Sequence, residues 1–418
     1  MRASCNGWTH HKLGDLIEIK HGFAFKGEYF TDAGTHIVLT PGNFYDEGGF
    51  KERADKAKWY TGPVPEEFVL RKGDLIVAMT EQAEGLLGSS ALIPRSDLYL
   101  HNQRLGLVKI RDQKELDKKY LYYLFNSRPV RHQIRATANG AKVRHTSPSR
   151  IYEVMIQKPR LPIQRRIAGI LSAYDKLIEN SQRRIKILEE MARSLYREWF
   201  VNFRFPGHEK VPLVASPLGP IPKDWEVKQL RDVAEVNRAQ INARNPPEEL
   251  HYIDISSVSP GQINSTTTYT FADAPGRARR VVQHGDVLWS CVRPNRRSNA
   301  LVMHPRKDTI ASTGFAVLSA RKVPFAFLYL ATTTDNFVSY LTNNTTGAAY
   351  PAVTAATFEN ADVIVPPEPL LCRFGEATVP IAEHTYTLQS QITNLRQTRD
   401  LLLPALLSGQ LRLADVDG

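Results

Sequence analysis

The chain has 418 residues, 42% of them hydrophobic and 23% charged, with a formal net charge of +11. That length predicts two or three domains, each able to bury its own core. The charge favours a polyanionic partner, nucleic acid before anionic membrane; a basic protein with no such partner is the plain alternative. No apolar run approaches the ~20 residues that cross a bilayer, and Met1–Gly14 has no apolar signal-peptide segment. Three scattered cysteines, Cys5, Cys291 and Cys372, form neither a disulfide framework nor a zinc pattern. A protein of the reducing cytoplasm, without metal or membrane, is expected.

In chain order, the first part is strand-like and turn-rich. "HIVLTPGNF", "DLIVAMT" and "LGLVKI" are short β-branched and aromatic runs bounded by Gly, Pro and Asn. A short helix is predicted near Leu116–Ser127. "QKPRLP" follows, where proline forces extended backbone and stops a helix running back into the domain. A long helix comes next, with apolar positions at Leu171, Tyr174, Ile178, Ile185, Leu188, Ala192, Leu195 and Trp199. With Ser181 in the gap, its steps alternate 3 and 4, a heptad seam. From Pro206 the pattern restarts: "HYIDISSV", "DVLWSCV" and "FAVLSA", a helix over Phe325–Leu341, then "VPPEP". The second long helix places Thr378, Ile381, Thr385, Leu388, Ile392, Leu395, Arg399, Leu402 and Leu406 in its seam.

The two halves are a repeat. Leu13-Gly14-Asp15 recurs as Leu230-Arg231-Asp232, 217 residues on. Lys72-Gly73-Asp74-Leu75-Ile76 recurs as His284-Gly285-Asp286-Val287-Leu288, 212 residues on. Leu121-Tyr122, Gly140-Ala141, Pro159 and Pro162 recur 207 residues on, as Leu328-Tyr329, Gly347-Ala348, Pro366 and Pro369. An offset that shrinks in steps and then holds is what duplicated domains with loop insertions produce.

The seams stay in register across the duplication, and each helix is polar on its other faces, so each stripe needs a partner. The other helix is the partner of matching period; separate packing of each helix on its own domain is the alternative. The expected fold is α+β and pseudo-twofold: two α/β target-recognition domains, residues 1–158 and 206–365, each followed by a long helix, residues 159–205 and 366–411. The two helices are expected to pair as an antiparallel coiled coil. About 35 helical residues at ~1.5 Å each give a rod of roughly 50 Å, or about fifteen base pairs as an upper bound on the separation of two DNA half-sites.

These features resemble the specificity subunit of type I restriction–modification systems, over essentially the whole chain. The segment "KPRLPIQRRIAGILSAYDKLIENSQRRIKILEEMARSLYREWF" is similar to the family's proline-rich start followed by "Q-R-x-I-A-x-I-L-x-x-x-D-x-x-I". Leu402 to Leu411, "LLPALLSGQL", is similar to its closing "L-L-P-x-L-L-S-G-x-L". Weaker echoes of the framework strands are "KGDLIVAMT", "HGDVLWS", "HNQRLGLVKI" and "ASTGFAVLSA". The second helix departs from the usual start, with Leu371-Cys372-Arg373-Phe374 in place of "E-Q-x-x-I". The resemblance implies a non-catalytic chain that reads double-stranded DNA. It implies two modification subunits, which use S-adenosylmethionine to methylate adenine, and two restriction subunits, which use ATP with Mg. No cofactor is expected in this chain.

Asn245-Pro246-Pro247-Glu248 resembles the Asn-Pro-Pro-aromatic motif of amino-methyltransferases, but Glu248 stands where the ring should stack on a flipped base. No Gly-rich strand–turn–helix is there to hold a cofactor, and no P-loop occurs. Asp15, Glu18 and Lys20 read as a solvated strand face rather than a nuclease metal site. His10-His11 reads as a surface pair. A stand-alone DNA methyltransferase and a protein scaffold remain the other readings.

DNA contacts need basic and amide side chains on exposed loops. In the first half the candidates are Asn43, Tyr45, Thr80, Gln82, Asn102, Gln103, Arg104, Lys142 and Arg144, with Glu84, His101 and Asn139–His145 in the same loops. In the second half they are Arg279 and Arg280 with Arg277; Arg293, Asn295, Arg296 and Arg297; and Asn344 and Tyr350. "VRPNRRSN" is the densest basic loop. The expected helix–helix packing residues are Leu171, Ile178, Ile185, Leu188, Leu195, Ile381, Leu388, Ile392, Leu395 and Leu402.

Overall fold

Strand Leu75–Ala78 shows why these residues fold as they do. All four side chains are buried, so the strand lacks the polar alternation of a sheet with one wet face. Successive residues point to opposite faces: Leu75 and Val77 join a core with Leu13, Tyr120 and Phe125, whereas Ile76 and Ala78 join one with Leu39, Phe44 and Tyr99. The computed structural model describes residues 7–53, 56–82, 84–140, 142–242, 244, 246–347, 349–411 and 413. It forms two units, Met1–Glu179 with Thr393–Gly418, and Asn180–Ile392. The units cut across the expected helix segments, since each takes one half of each long helix.

In unit one, Thr9–Lys12 pairs antiparallel with Met155–Lys158. The main sheet runs in the order Ile17–His21, Leu105–Ile110, Leu75–Ala78, Ser90–Leu92. Unit two repeats this. Glu226–Gln229 pairs with Asp362–Val365, and its main sheet runs Ala234–Val236, Phe315–Ala320, Val287–Ser290, Asn299–Leu301. Each unit adds a smaller four-stranded sheet with one parallel pair, His36–Val38 with Tyr99–Leu100 and Glu249–Ile253 with Thr309–Ser312. The order of strands in the smaller sheets differs between the units.

After Lys118–Phe125, where a helix was expected, the first half carries a further short helix, Arg128–Ala136, and the helix expected over Phe325–Leu341 is two, Phe325–Thr332 and Asp335–Asn343. Local capping explains the break. Pro129 stands in the first turn of Arg128–Ala136, where its missing N–H costs nothing. The Thr334 hydroxyl accepts from Phe337 N–H at 3.2 Å, starting a new helix.

The long helices are Leu161–Tyr196, continued by a π-helical turn over Arg197–Val201, and Glu368–Leu407. Within unit one, Leu171 shares a core with Leu406 and Leu407, and Asp175 meets Arg399. Within unit two, Arg184 meets His384 at 2.8 Å and Tyr196 meets Phe374. In each unit one number rises as its partner falls, so the pairing is antiparallel. Leu171, Ile178, Leu388 and Ile392 are buried, and Ile185, Leu188, Leu195, Ile381, Leu395 and Leu402 are half-buried. Off the seam, Leu177, Ile187, Met191 and Leu401 are at least half exposed. Position in the heptad, not hydrophobicity, decides burial. The first helix also packs on the first domain through Ile167 and Leu171, and the second on the second domain through Leu371 and Phe374, so the two packings anticipated as alternatives coexist.

Candidate nucleic-acid interface

In unit one, three segments meet beyond the end of strand Leu75–Ala78. The chain runs on into Thr80–Glu81, which pairs antiparallel with Arg144–His145. Those residues close a hairpin, with reciprocal backbone bonds between Asn139 and His145 at 3.0 and 2.8 Å. Turn Asn102–Arg104 joins them through Met79 N–H donating to Arg104 O at 3.0 Å. The hairpin needs its glycine. Gly140 has φ +101, and a Cβ there would lie 2.0 Å from Val143 O. Beside it, the Glu81 carboxylate is buried and accepts from Gly85 and Leu87 N–H at 3.1 and 2.8 Å. Arg131 donates to Leu87, Asp46 and Gly85 carbonyls, and burial lowers its pKa to about 10. Glu81 and Arg131 therefore brace Gly85–Leu87 from inside.

Unit two repeats the construction. Val292 bridges Ala352, Arg293 N–H donates to Pro351 O at 2.8 Å, and Cys291 N–H donates to Gly314 O at 2.8 Å. Reciprocal bonds between Thr346 and Ala352 close its hairpin at 2.8 and 3.0 Å, with Gly347 at φ +88. Its chemistry differs. Arg293 and Arg297 adopt left-handed backbone, φ +50 and +55, on either side of turn Pro294–Arg296. Non-glycine residues held there store strain, and such residues cluster at functional sites. The Arg293 guanidinium lies 5.3 Å from the ring centre of Tyr350, which is 72% exposed.

The expected contact residues divide by environment. Gln82, Gln103, Arg104, Lys142 and Arg144 are exposed around the unit-one cluster, and Tyr45 is exposed on a loop bonded to Ser89. Arg277, Asn295, Arg296, Asn344 and Tyr350 are exposed in unit two, with Arg293 half-buried. Asn343 is exposed too, but it ends a short helix. Several candidates are committed to the frame instead. Asn43 is buried and accepts from Thr40 N–H at 2.9 Å. Thr80 is buried against His145, and His101 is fully buried with Nε2 on Leu105 O at 2.9 Å. Asn102 is half-buried and accepts from Arg104 N–H. Glu84 pairs with Arg135, Arg297 with Asp335. Arg279 and Arg280 are half-buried on a strand; Arg279 lies 5.7 Å from the Phe271 ring, and Arg280 Nε is buried without a hydrogen-bond partner. Asn344 also caps its helix through Tyr340 O. Thr313, whose N–H donates to Arg277 O, joins the unit-two cluster; sequence reading missed it because a hydroxyl in "ASTGF" carries no charge signal.

A sequence profile described as "Type I restriction modification DNA specificity domain" matches residues 6–190 and 222–369. The chain belongs to this family. It is 25% identical over 319 residues to the type I restriction enzyme MjaIX specificity subunit of Methanocaldococcus jannaschii, covering 74% of this chain and 73% of that one. It is 22% identical over 243 residues to the EcoBI specificity subunit of Escherichia coli, covering 56% and 48%. The crystal structure of a type I restriction–modification S subunit from M. genitalium shares the fold, with a TM-score of 0.65 at 17% identity over 97% and 98% of the two chains. As a specificity subunit, the chain pairs a duplicated frame with unlike loops.

Asp15 lies in helical turn Leu13–Leu16 rather than on a strand, and Lys20 pairs with Glu67 at 2.7 Å. His10 bonds Gln157 and His11 bonds Thr9. Cys291 is half-buried, and burial pushes its thiol up to about 11. Cys372 is exposed. Cys5 and Asn245 lie outside the described residues. Among the described residues no helix is long and apolar enough to cross a membrane.

Proposed function

We propose that this specificity subunit reads a bipartite, asymmetric double-stranded DNA site, one recognition domain per half-site, without catalysing a reaction itself. One observation carries this reading: the same three-segment loop cluster recurs in both units with different side chains. Gln82, Lys142 and Arg144 occupy one; Arg293, Asn295, Arg296 and Tyr350 occupy the other. Equal frames with unequal reading groups suit two unrelated half-sites. Phosphate contacts by the cationic members set register, and the amide and guanidinium groups read base edges.

The antiparallel helices act in this reading as the ruler between half-sites. Their exposed apolar positions off the seam, Leu177, Ile187, Met191 and Leu401, support docking of protein partners. Those partners are two modification subunits, which bring S-adenosylmethionine, and two restriction subunits, which bring ATP and Mg. The assembly works in the cytoplasm. Gel-shift competition with the modification subunit present tests the reading: binding to one bipartite sequence supports it, and binding indifferent to sequence contradicts it. Stoichiometric S-adenosylmethionine binding by the chain alone would favour a stand-alone methyltransferase instead.

A further inference from the structure

Three side chains far apart in sequence converge in unit two, away from the loop clusters. His284 lies in the turn before strand Val287–Ser290, His304 in the turn after strand Asn299–Leu301, and Glu383 on the second long helix. Their ligand atoms all lie within 4.8 Å of one another. His304 Nε2 is 2.7 Å from one Glu383 oxygen, and His284 Nε2 is 3.7 Å from the other. Aromatic neighbours hold both imidazoles: the His284 ring centre is 5.2 Å from Phe325 and the His304 ring centre 5.2 Å from Tyr386.

We propose that His284, His304 and Glu383 bind a divalent first-row transition metal of the zinc class. Two imidazoles and one carboxylate are a recurrent zinc donor set, leaving a fourth position for water. Hard cations such as Mg2+ prefer all-oxygen sites and are poor competitors here. Binding the metal through Nε2 moves the single ring proton of each neutral imidazole from Nε2, where it faces Glu383, to Nδ1, and on His284 the long 3.3 Å contact from His304 N–H to that nitrogen gives way. His304 has φ +45, so its backbone is already strained at the point that must adjust.

The unit-one counterparts of the three residues are Lys72, Arg95 and Lys176, all cations that reject a metal. The first two equivalences rest on matched backbone bonds, Gly73 N–H to Ile93 O and Gly285 N–H to Val302 O, both 2.8 Å, and the third on the 207-residue offset. All three positions differ together, as a ligand set confined to the second domain requires. The metal would tie two turns of recognition domain two to the helix beside them and hold that domain's orientation on the helix.

The test uses the tag-free full chain, stripped with chelator, dialysed and titrated with zinc chloride by calorimetry. One equivalent binding with micromolar or tighter Kd is expected, with the Tm raised by several degrees at about 100 times that Kd. His284→Ala and Glu383→Gln should each weaken binding at least about tenfold; His10→Ala should leave it unchanged. Magnesium chloride should not substitute. Zinc should also shift the ring resonances of His284 and His304 in the unaltered chain, a readout that needs no variant to fold. Failure to bind zinc below millimolar concentration, or binding that ignores both substitutions and leaves those resonances unmoved, overturns the proposal.

Discussion

Arg399 of the second long helix donates through Nη1 to Asp175 of the first at 2.8 Å, and the Tyr123 hydroxyl donates to the other Asp175 oxygen at 2.5 Å. An arginine in a heptad seam needs such a partner. Burial alone would lower the Arg399 pKa, but bonds to Asp175 and Asp400 outweigh burial and hold it above the usual range. Burial first, and then the Asp175 charge, raise the Tyr123 pKa. We predict that Asp175→Ala destabilises unit one by about 1–3 kcal/mol, leaving Arg399 and Tyr123 short of an acceptor. Replacing both Asp175 and Arg399 by alanine should cost less than the sum of the Asp175→Ala and Arg399→Ala changes, because no charge is stranded. Urea unfolding of the four chains of the cycle measures this; additive costs would show that the pair is not coupled.

The two hairpin glycines are expected to respond unequally to alanine. Both have positive φ, which disfavours a side chain by about 1–2 kcal/mol. At Gly140 the new Cβ would also lie 2.0 Å from a carbonyl, against 3.1 Å at Gly347. Gly140→Ala should therefore lower affinity for the first half-site strongly, and Gly347→Ala should lower affinity for the second mildly. Gel shifts on probes mutated in one half-site at a time separate the two; equal losses would contradict the steric argument.

Arg293 and Tyr350 form the most distinctive pair of the unit-two cluster. We predict that Arg293→Ala costs about 1–3 kcal/mol of DNA binding and relaxes specificity at one position of the second half-site. Arg296→Ala should weaken all sequences alike and reduce the salt slope by about 1, as loss of one phosphate contact does. Binding measured against salt for specific and scrambled probes distinguishes these effects. Unchanged affinity in both variants would remove this loop from the interface.

His101 supplies a pH dependence. Burial lowers its pKa to about 4 from the ordinary 6.5, and Nδ1 lies buried without a partner. The unfolded chain takes up this proton first as the pH falls. The contribution to stability is full above about 6.5 and declines towards pH 4, by about 3 kcal/mol in all. His101→Gln keeps a donor for Leu105 O but does not titrate, so it should flatten this part of the stability–pH curve measured by urea midpoint. An unchanged curve would place the titration elsewhere.

The duplication, the strands and the helix seam were legible because each leaves a trace in the sequence: a short, wholly apolar run for buried strand Leu75–Ala78 and a seam residue every three or four from Leu171 to Trp199. The paired short helices were less visible, since Thr334 starts a new helix with a hydroxyl that composition cannot weigh. Contact candidates were harder still. Asn43 and Gln82 have similar amide chemistry, yet one holds a turn and the other faces solvent. His284, His304 and Glu383 had no spacing signal, because folding alone brings the two turns to the helix.

The most direct measurement of the central claim is the genomic map of adenine methylation in cells carrying the modification subunit and this chain, compared with cells in which another specificity subunit's recognition domain replaces residues 1–158. The account predicts a bipartite pattern that depends on this chain. In the swapped chain, one half-site should change, while the other half-site and the gap stay the same. A pattern in which both half-sites change, or in which methylation persists unaltered without this chain, would contradict it.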